Sequence, residues 1–270
     1  MERLEARRTR ILFVALIPLL VLVGVRAAAA APPSSGWAVL IENNWYGGTY
    51  PELPVGYVNS TRMLDALILR GWPADHILLI RDSVDPNLLH RALGWLSARS
   101  RPDDTALLYV AGEYYYFADT LHWNNEFPQL WRRLPTSRRV LIAETCFAER
   151  LTRTALGIPG IALPAVGPDE WDLWGLRKTD RLIRGGAFTY FLASALSAQP
   201  EGTPLVFSTA FKVALAQARA YFHVVLHEVP EALNAFHTRG ARPEGAAQFP
   251  NPHLLEDGGT ALKSSVDQPL

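Results

Sequence analysis

Five uninterrupted apolar runs, set apart by stretches with helical periodicity, constrain this chain more than any other feature. They are residues 37–42 (WAVLIE), 76–80 (HILLI), 105–110, 140–143 and 160–166. A strand buried on both faces reads as a continuous apolar run, whereas a half-solvated strand alternates. Between the first two, residues 59–69 carry Met63, Leu64, Leu67 and Leu69 at near-helical spacing, and Gly71 ends the pattern. A second helix is expected from Asp85-Pro86, with proline at its first position and Leu88, Leu89, Leu93 and Leu96 on one side. A short helical stretch around 130–133, a helix over 187–196 and a longer one over 207–221 follow. Buried strands alternating with amphipathic helices imply right-handed crossovers. The expected fold is a doubly wound α/β protein with a mainly parallel sheet and helices on both faces.

The chain has 270 residues, 49% of them hydrophobic, enough for one sizeable core. That core is assigned to residues 37–255, with 256–270 as a flexible tail. Lys plus Arg equals Asp plus Glu at 26 each, so no broad basic field exists to hold a nucleic-acid backbone. Nucleic acid is excluded as a partner on this ground. Ahead of the core, Arg3, Arg7, Arg8 and Arg10 precede an apolar run over 11–25 and the small residues 27–31. This order reads as a signal peptide, and the chain is expected to be exported to a periplasm or secreted. The alternative is an uncleaved anchor, since the apolar run approaches spanning length. Contact with a membrane is expected only through this segment. A single cysteine permits no intrachain disulfide.

In a sheet of this kind, ligands and reactive groups gather beyond the carboxyl ends of the strands. The third run leads through Gly112 into Glu113-Tyr114-Tyr115-Tyr116, and the fourth leads into Glu144-Thr145-Cys146-Phe147. Cys146 and Glu113 are therefore expected at neighbouring strand ends, facing one cleft. The run 114–117 is expected as a twisted hairpin strand, with His122 in the following arm. His227-Glu228 lacks the second histidine of a zinc-binding helix, and no phosphate loop is present, so no cofactor or metal is expected. Asn59-Ser60-Thr61 fits a glycosylation sequon but opens a predicted helix, and reads as a chance match.

The motifs Tyr109-Val110-Ala111-Gly112 and Leu141-Ile142-Ala143-Glu144-Thr145-Cys146-Phe147 resemble those of the caspase-like cysteine peptidases, the superfamily of caspases, metacaspases and legumains. In that family the third strand ends in Gly-His-Gly and the fourth in Asp-x-Cys, often followed by Ser-Gly. The likeness extends to the first strand at 37–41, to the segment 185–192 and to Gln248-Phe249-Pro250. The resemblance implies that Cys146 stands at the nucleophile position and that Glu144 lines a pocket for a basic side chain. It also implies substrate contacts from Gly112 and Tyr114.

The departures are as informative. Glu113 stands at the family's histidine position, Tyr114 at the following glycine and Ala148-Glu149 at the Ser-Gly pair. A carboxylate beside a thiol opposes formation of the thiolate, and it is a poor proton donor near neutral pH unless burial raises its pKa. Two readings follow. One is a degenerate peptidase that binds a peptide or protein in the former cleft. The other is a working cysteine endopeptidase that prefers basic residues through Glu144 and recruits an atypical base. Arg177-Lys178, Arg181 and Arg184 are either a processing loop or solvated charge.

Overall fold

A computed structural model describes residues 36–50, 52, 53, 55–170, 172, 174, 175, 183–200 and 203–228, with side chains in the last helix followed to residue 225. The N-terminal segment, the basic cluster at 177–181, the side chains of His227 and Glu228, the Gln248–Pro250 motif and the tail lie outside these residues. Among the described residues no helix is long and apolar enough to cross a membrane.

Each apolar run forms a strand: β1 Gly36–Glu42, β2 Ile77–Arg81, β3 Thr105–Ala111, β4 Arg138–Glu144 and β5 Ile161–Pro164. They make one parallel sheet in the order β2-β1-β3-β4-β5. In β3 every residue is buried, and in β1 and β4 all but one, as continuous apolar sequence requires. The helices are α1 Val58–Leu69, α2 Leu88–Arg99, α3 Trp123–Arg132, α4 Ala148–Thr152, α5 Ala187–Ser197 and α6 Phe207–Glu228. The order reverses direction after β2, so the crossovers through α1 and α2 cover opposite faces. α5 packs on α1 and α6 on α5, while α3 packs against α2. The doubly wound α/β architecture expected from the sequence is the observed one. A short antiparallel pair, β6 Trp174–Gly175 and β7 Gly185–Gly186, lies ahead of α5.

Several local expectations are corrected. The run 114–117 is helical, continuing into a wide π-type turn at Tyr116–Thr120. Tyr116, Phe117 and Leu121 are all buried, a helical spacing that a half-exposed strand does not produce. His122 consequently belongs to no hairpin arm. It is exposed, with positive φ, at the head of α3, where its carbonyl accepts the N–H groups of Asn125 and Glu126. α3 is much longer than the stretch at 130–133, because Trp123, Phe127 and Trp131 form a buried stack with centroids 4.4 and 5.1 Å apart. Pro128 inside that helix masks it from a reading based on helix breakers. α2 begins at Leu88, not at Pro86: the Asp85 carboxylate accepts the Asn87 N–H in a turn that precedes the helix. α6 runs past Tyr221 to Glu228.

Candidate functional site

β3 and β4 run in register, with Ala111 beside Glu144, so Gly112-Glu113 and Thr145-Cys146 leave the sheet side by side. The Gly112 N–H donates to the Glu144 carbonyl at 3.2 Å, carrying the ladder one step past β3. Gly112 has φ +145°, and a Cβ there would come within 2.5 Å of the Tyr46 hydroxyl and 2.7 Å of the Asn43 carbonyl. Glycine is thus required by close approach as well as by backbone conformation. The buried Tyr46 hydroxyl donates to the Asn43 carbonyl and accepts the Glu113 N–H at 2.7 Å. It locks the loop after β1 onto the end of β3. Nothing in the sequence singles out Tyr46 from the other aromatics of its loop.

Glu113 caps the helical turn that follows it: the N–H groups of Tyr114 and Tyr115 hydrogen-bond its carboxylate. Burial nevertheless pushes its pKa up, outweighing those donors. Cys146 is partly exposed, and its thiol lies within the field of Glu113. Burial first, then the Glu113 and Asp172 carboxyls, hold the thiol pKa well above its ordinary value, against hydrogen bonds from backbone amides. At neutral pH the sulfur is a protonated thiol and a weak nucleophile.

The imidazoles of the described residues lie elsewhere. His76 stacks on Trp37 at 3.6 Å near the amino end of β1, and His90 pairs with Glu126 on the surface. His122 opens α3 and His223 lies on α6. Among the described residues the groups acting on the Cys146 thiol are carboxyls and backbone amides.

Tyr114 is buried and stands edge-on to Phe147, 5.4 Å between centroids. The Arg150 guanidinium covers the Phe147 ring at 4.8 Å, hydrogen-bonds Tyr114 and pairs with Asp169 at 2.6 Å. Tyr114 and Phe147 thus make an aromatic wall next to Cys146. The turn after Cys146 is held by the Phe147 N–H, which donates to the Glu170 carbonyl at 2.8 Å.

Glu144 is fully buried, and its carboxyl points under α5 instead of into an open pocket. Its Oε2 accepts the Thr189 N–H and hydroxyl, both at 2.6 Å, and Tyr109 in turn shares a hydrogen bond with the Thr189 hydroxyl at 2.8 Å. Its Oε1 faces Gly186, where a Cβ would come within 1.8 Å. The buried Asp172, bonded by the Trp174 indole N–H at 2.6 Å, is the acidic neighbour of both Glu144 and Cys146. Burial and that second carboxyl drive the Glu144 pKa far upward, favouring its protonated form. Arg62 is the nearby cation, but it donates to the Arg184 carbonyl at 2.6 Å and lies over the Tyr190 ring. Sequence reasoning missed Asp172, which sits in a stretch without strand or helix periodicity. Its one local signal is the flanking pair Trp171 and Trp174.

Four expected residues, Gly112, Glu113, Glu144 and Cys146, are therefore brought together at two adjacent strand ends, and Tyr114 walls them on one side. Among the described residues no group of three or more His, Cys, Asp or Glu side chains is arranged to hold a metal ion. Asn59 of the sequon is fully buried, out of reach of a glycan. No protein-family model matches the chain, and no curated protein matches its sequence.

Proposed function

We propose that this chain is an exported caspase-like domain that has lost peptide hydrolysis and binds a peptide or protein segment at the carboxyl ends of β3 and β4. The observation that carries the proposal is the pairing of Cys146 with a carboxyl group, Glu113, at the position where a cysteine hydrolase needs an imidazole. Glu113 opposes the thiolate, and among the described residues no imidazole acts on the sulfur. Loss of a positioned general acid–base group removes roughly 10²- to 10⁴-fold of catalysis. Tyr114 and Phe147 replace an open cleft with apolar wall, which suits retention of a bound chain better than turnover. Glu144 is sealed beneath Gly186 and bonded to Thr189, so it offers a basic side chain no open face. This weighs against an endopeptidase selective for basic residues.

The test compares the unmodified protein with Cys146→Ala on peptide mixtures containing Arg and Lys. Equal, background-level cleavage is expected, and robust cleavage abolished by Cys146→Ala would overturn the reading. Export is tested by mass spectrometry of the mature chain. A start between Ala27 and Pro33 is expected, whereas retention of residues 1–20 would mean an N-terminal anchor.

A further inference from the structure

The two edges of the sheet differ in protection. β5 is four residues long, wholly buried and ends at Pro164, whereas β2 has all four of its aliphatic residues, Ile77 to Ile80, partly exposed and Arg81 exposed. Natural sheets blunt an exposed edge with proline, a bulge, an inward charge or a covering segment. β2 has no proline and no charge before its last residue, and among the described residues nothing pairs its outer side.

Backbone direction identifies the unpaired groups. The Asp82 N–H donates to the Glu42 carbonyl, so Leu78 and Ile80, in phase with it, also turn toward β1. Ile77, Leu79 and Arg81 then direct their N–H and C=O groups outward. Alongside, Thr61 on α1 bonds the Arg81 guanidinium at 2.9 Å. Ile68, two turns further on the same helical face, is 43% exposed, and its neighbour Leu69 is 64% exposed. An apolar flank thus accompanies the open strand.

We propose that β2 is a self-association edge, on which a second copy of this chain pairs its own β2 in antiparallel orientation, joining two five-stranded sheets across a two-fold axis. Charge selects this occupant. The exposed Asp75 precedes the strand and the exposed Arg81 ends it, while the carboxylate of Asp82, next in the chain, is held by the Asn44 and Trp45 N–H groups and the Tyr57 hydroxyl, so antiparallel pairing sets Asp75 of one copy beside Arg81 of the other, twice. Parallel alignment would set like charges together, and only the antiparallel arrangement closes under a two-fold axis. A five-residue edge with a small apolar flank is a modest contact, so the dimer should be weak and concentration-dependent.

The experiment is sedimentation of the full chain across a concentration series, beside Arg81→Glu, the double variant Asp75→Lys/Arg81→Glu, and Leu79→Pro. Leu79→Pro deletes an outward N–H while sparing the β1 ladder. The expected result is a monomer–dimer equilibrium that weakens about tenfold in Arg81→Glu, where two charge pairs are lost, and recovers in the double variant. Arg81 also bonds α1, so a merely structural effect would persist in the double variant. Leu79→Pro, checked for native circular dichroism, should be monomeric. A chain that stays monomeric at all concentrations, or a dimer indifferent to these variants, would overturn the proposal. Neither outcome bears on the reading of Cys146.

Discussion

Glu42 and Glu144 occupy the same place in two strands: each is the last residue of its strand and fully buried, with a pKa raised by burial. Their surroundings differ in sign. Glu42 receives the Ser60 N–H at 2.7 Å and the Asn59 N–H at 3.4 Å, and it lies in the field of Arg81. It anchors the first turn of α1 to β1, where the helix dipole also favours its charge. Glu144 has the donors of Thr189, but its other influential neighbour is a second carboxyl, Asp172. Strand-end position supplies an acid in both cases. Whether that acid serves as a helix anchor or as a proton-holding group beside Cys146 depends on what the crossing loops bring to it.

The contrast breaks most severely at Gly186, which exists as glycine because of Glu144. Gly186→Ala would drive a Cβ into a pinned carboxyl and is expected to destabilise the fold by about 3 kcal/mol in urea unfolding. Combined with Glu144→Ala it should cost much less than the sum of the two, and strict additivity would refute the contact. Next in size is Glu42→Ala, expected to cost about 2 kcal/mol because two buried N–H groups of α1 lose their acceptor. By contrast Glu144→Gln, which keeps an acceptor for Thr189 and removes the need to hold a proton on a buried acid, should be neutral or slightly stabilising near pH 7. Equal losses in Glu42→Ala and Glu144→Gln would erase the distinction.

Both carboxyls make stability depend on pH in a direction opposite to that of a salt-bridged acid. The unfolded groups titrate near 4.5, and both folded values are raised. Between the two values the native chain keeps a proton that the unfolded chain releases. This stabilisation is complete below about pH 4.5 and is lost as pH rises toward the folded value, at up to about 1.4 kcal/mol per pH unit for one proton. Glu144→Gln should flatten that slope more than Glu42→Gln in denaturation curves from mildly acid to neutral pH. The smallest expected effect extends the contrast to the third strand end: Glu113→Gln should speed alkylation of Cys146 by iodoacetamide about threefold, by removing one of its two acidic neighbours. An unchanged rate would mean that Glu113 does not act on the thiol.

The run at 105–110 sits within β3 and that at 140–143 within β4, and the observed strands extend each by one to three residues. Apolar continuity encodes burial on both faces, and burial in an α/β sheet leaves few alternatives. Misreadings arose where local signals conflict with packing: Pro128 hides a helix held by three stacked aromatics, and three tyrosines with β propensity fold as helix.

The parallel sheet, the order of its elements along the chain, and the arrival of Glu113, Glu144 and Cys146 at carboxyl ends of strands were legible in the amino-acid sequence. These follow from period and composition, which are local properties of the chain. Tertiary structure alone decided which side chains meet those three. Thr189 reaches Glu144 from 45 residues away, Tyr46 reaches Glu113 from 67 away, and Asp172 comes from a stretch with no periodicity. The ionisation of a buried acid is set by the donors and charges within a few ångströms, and those neighbours are assembled by crossovers whose side-chain contacts no local pattern records.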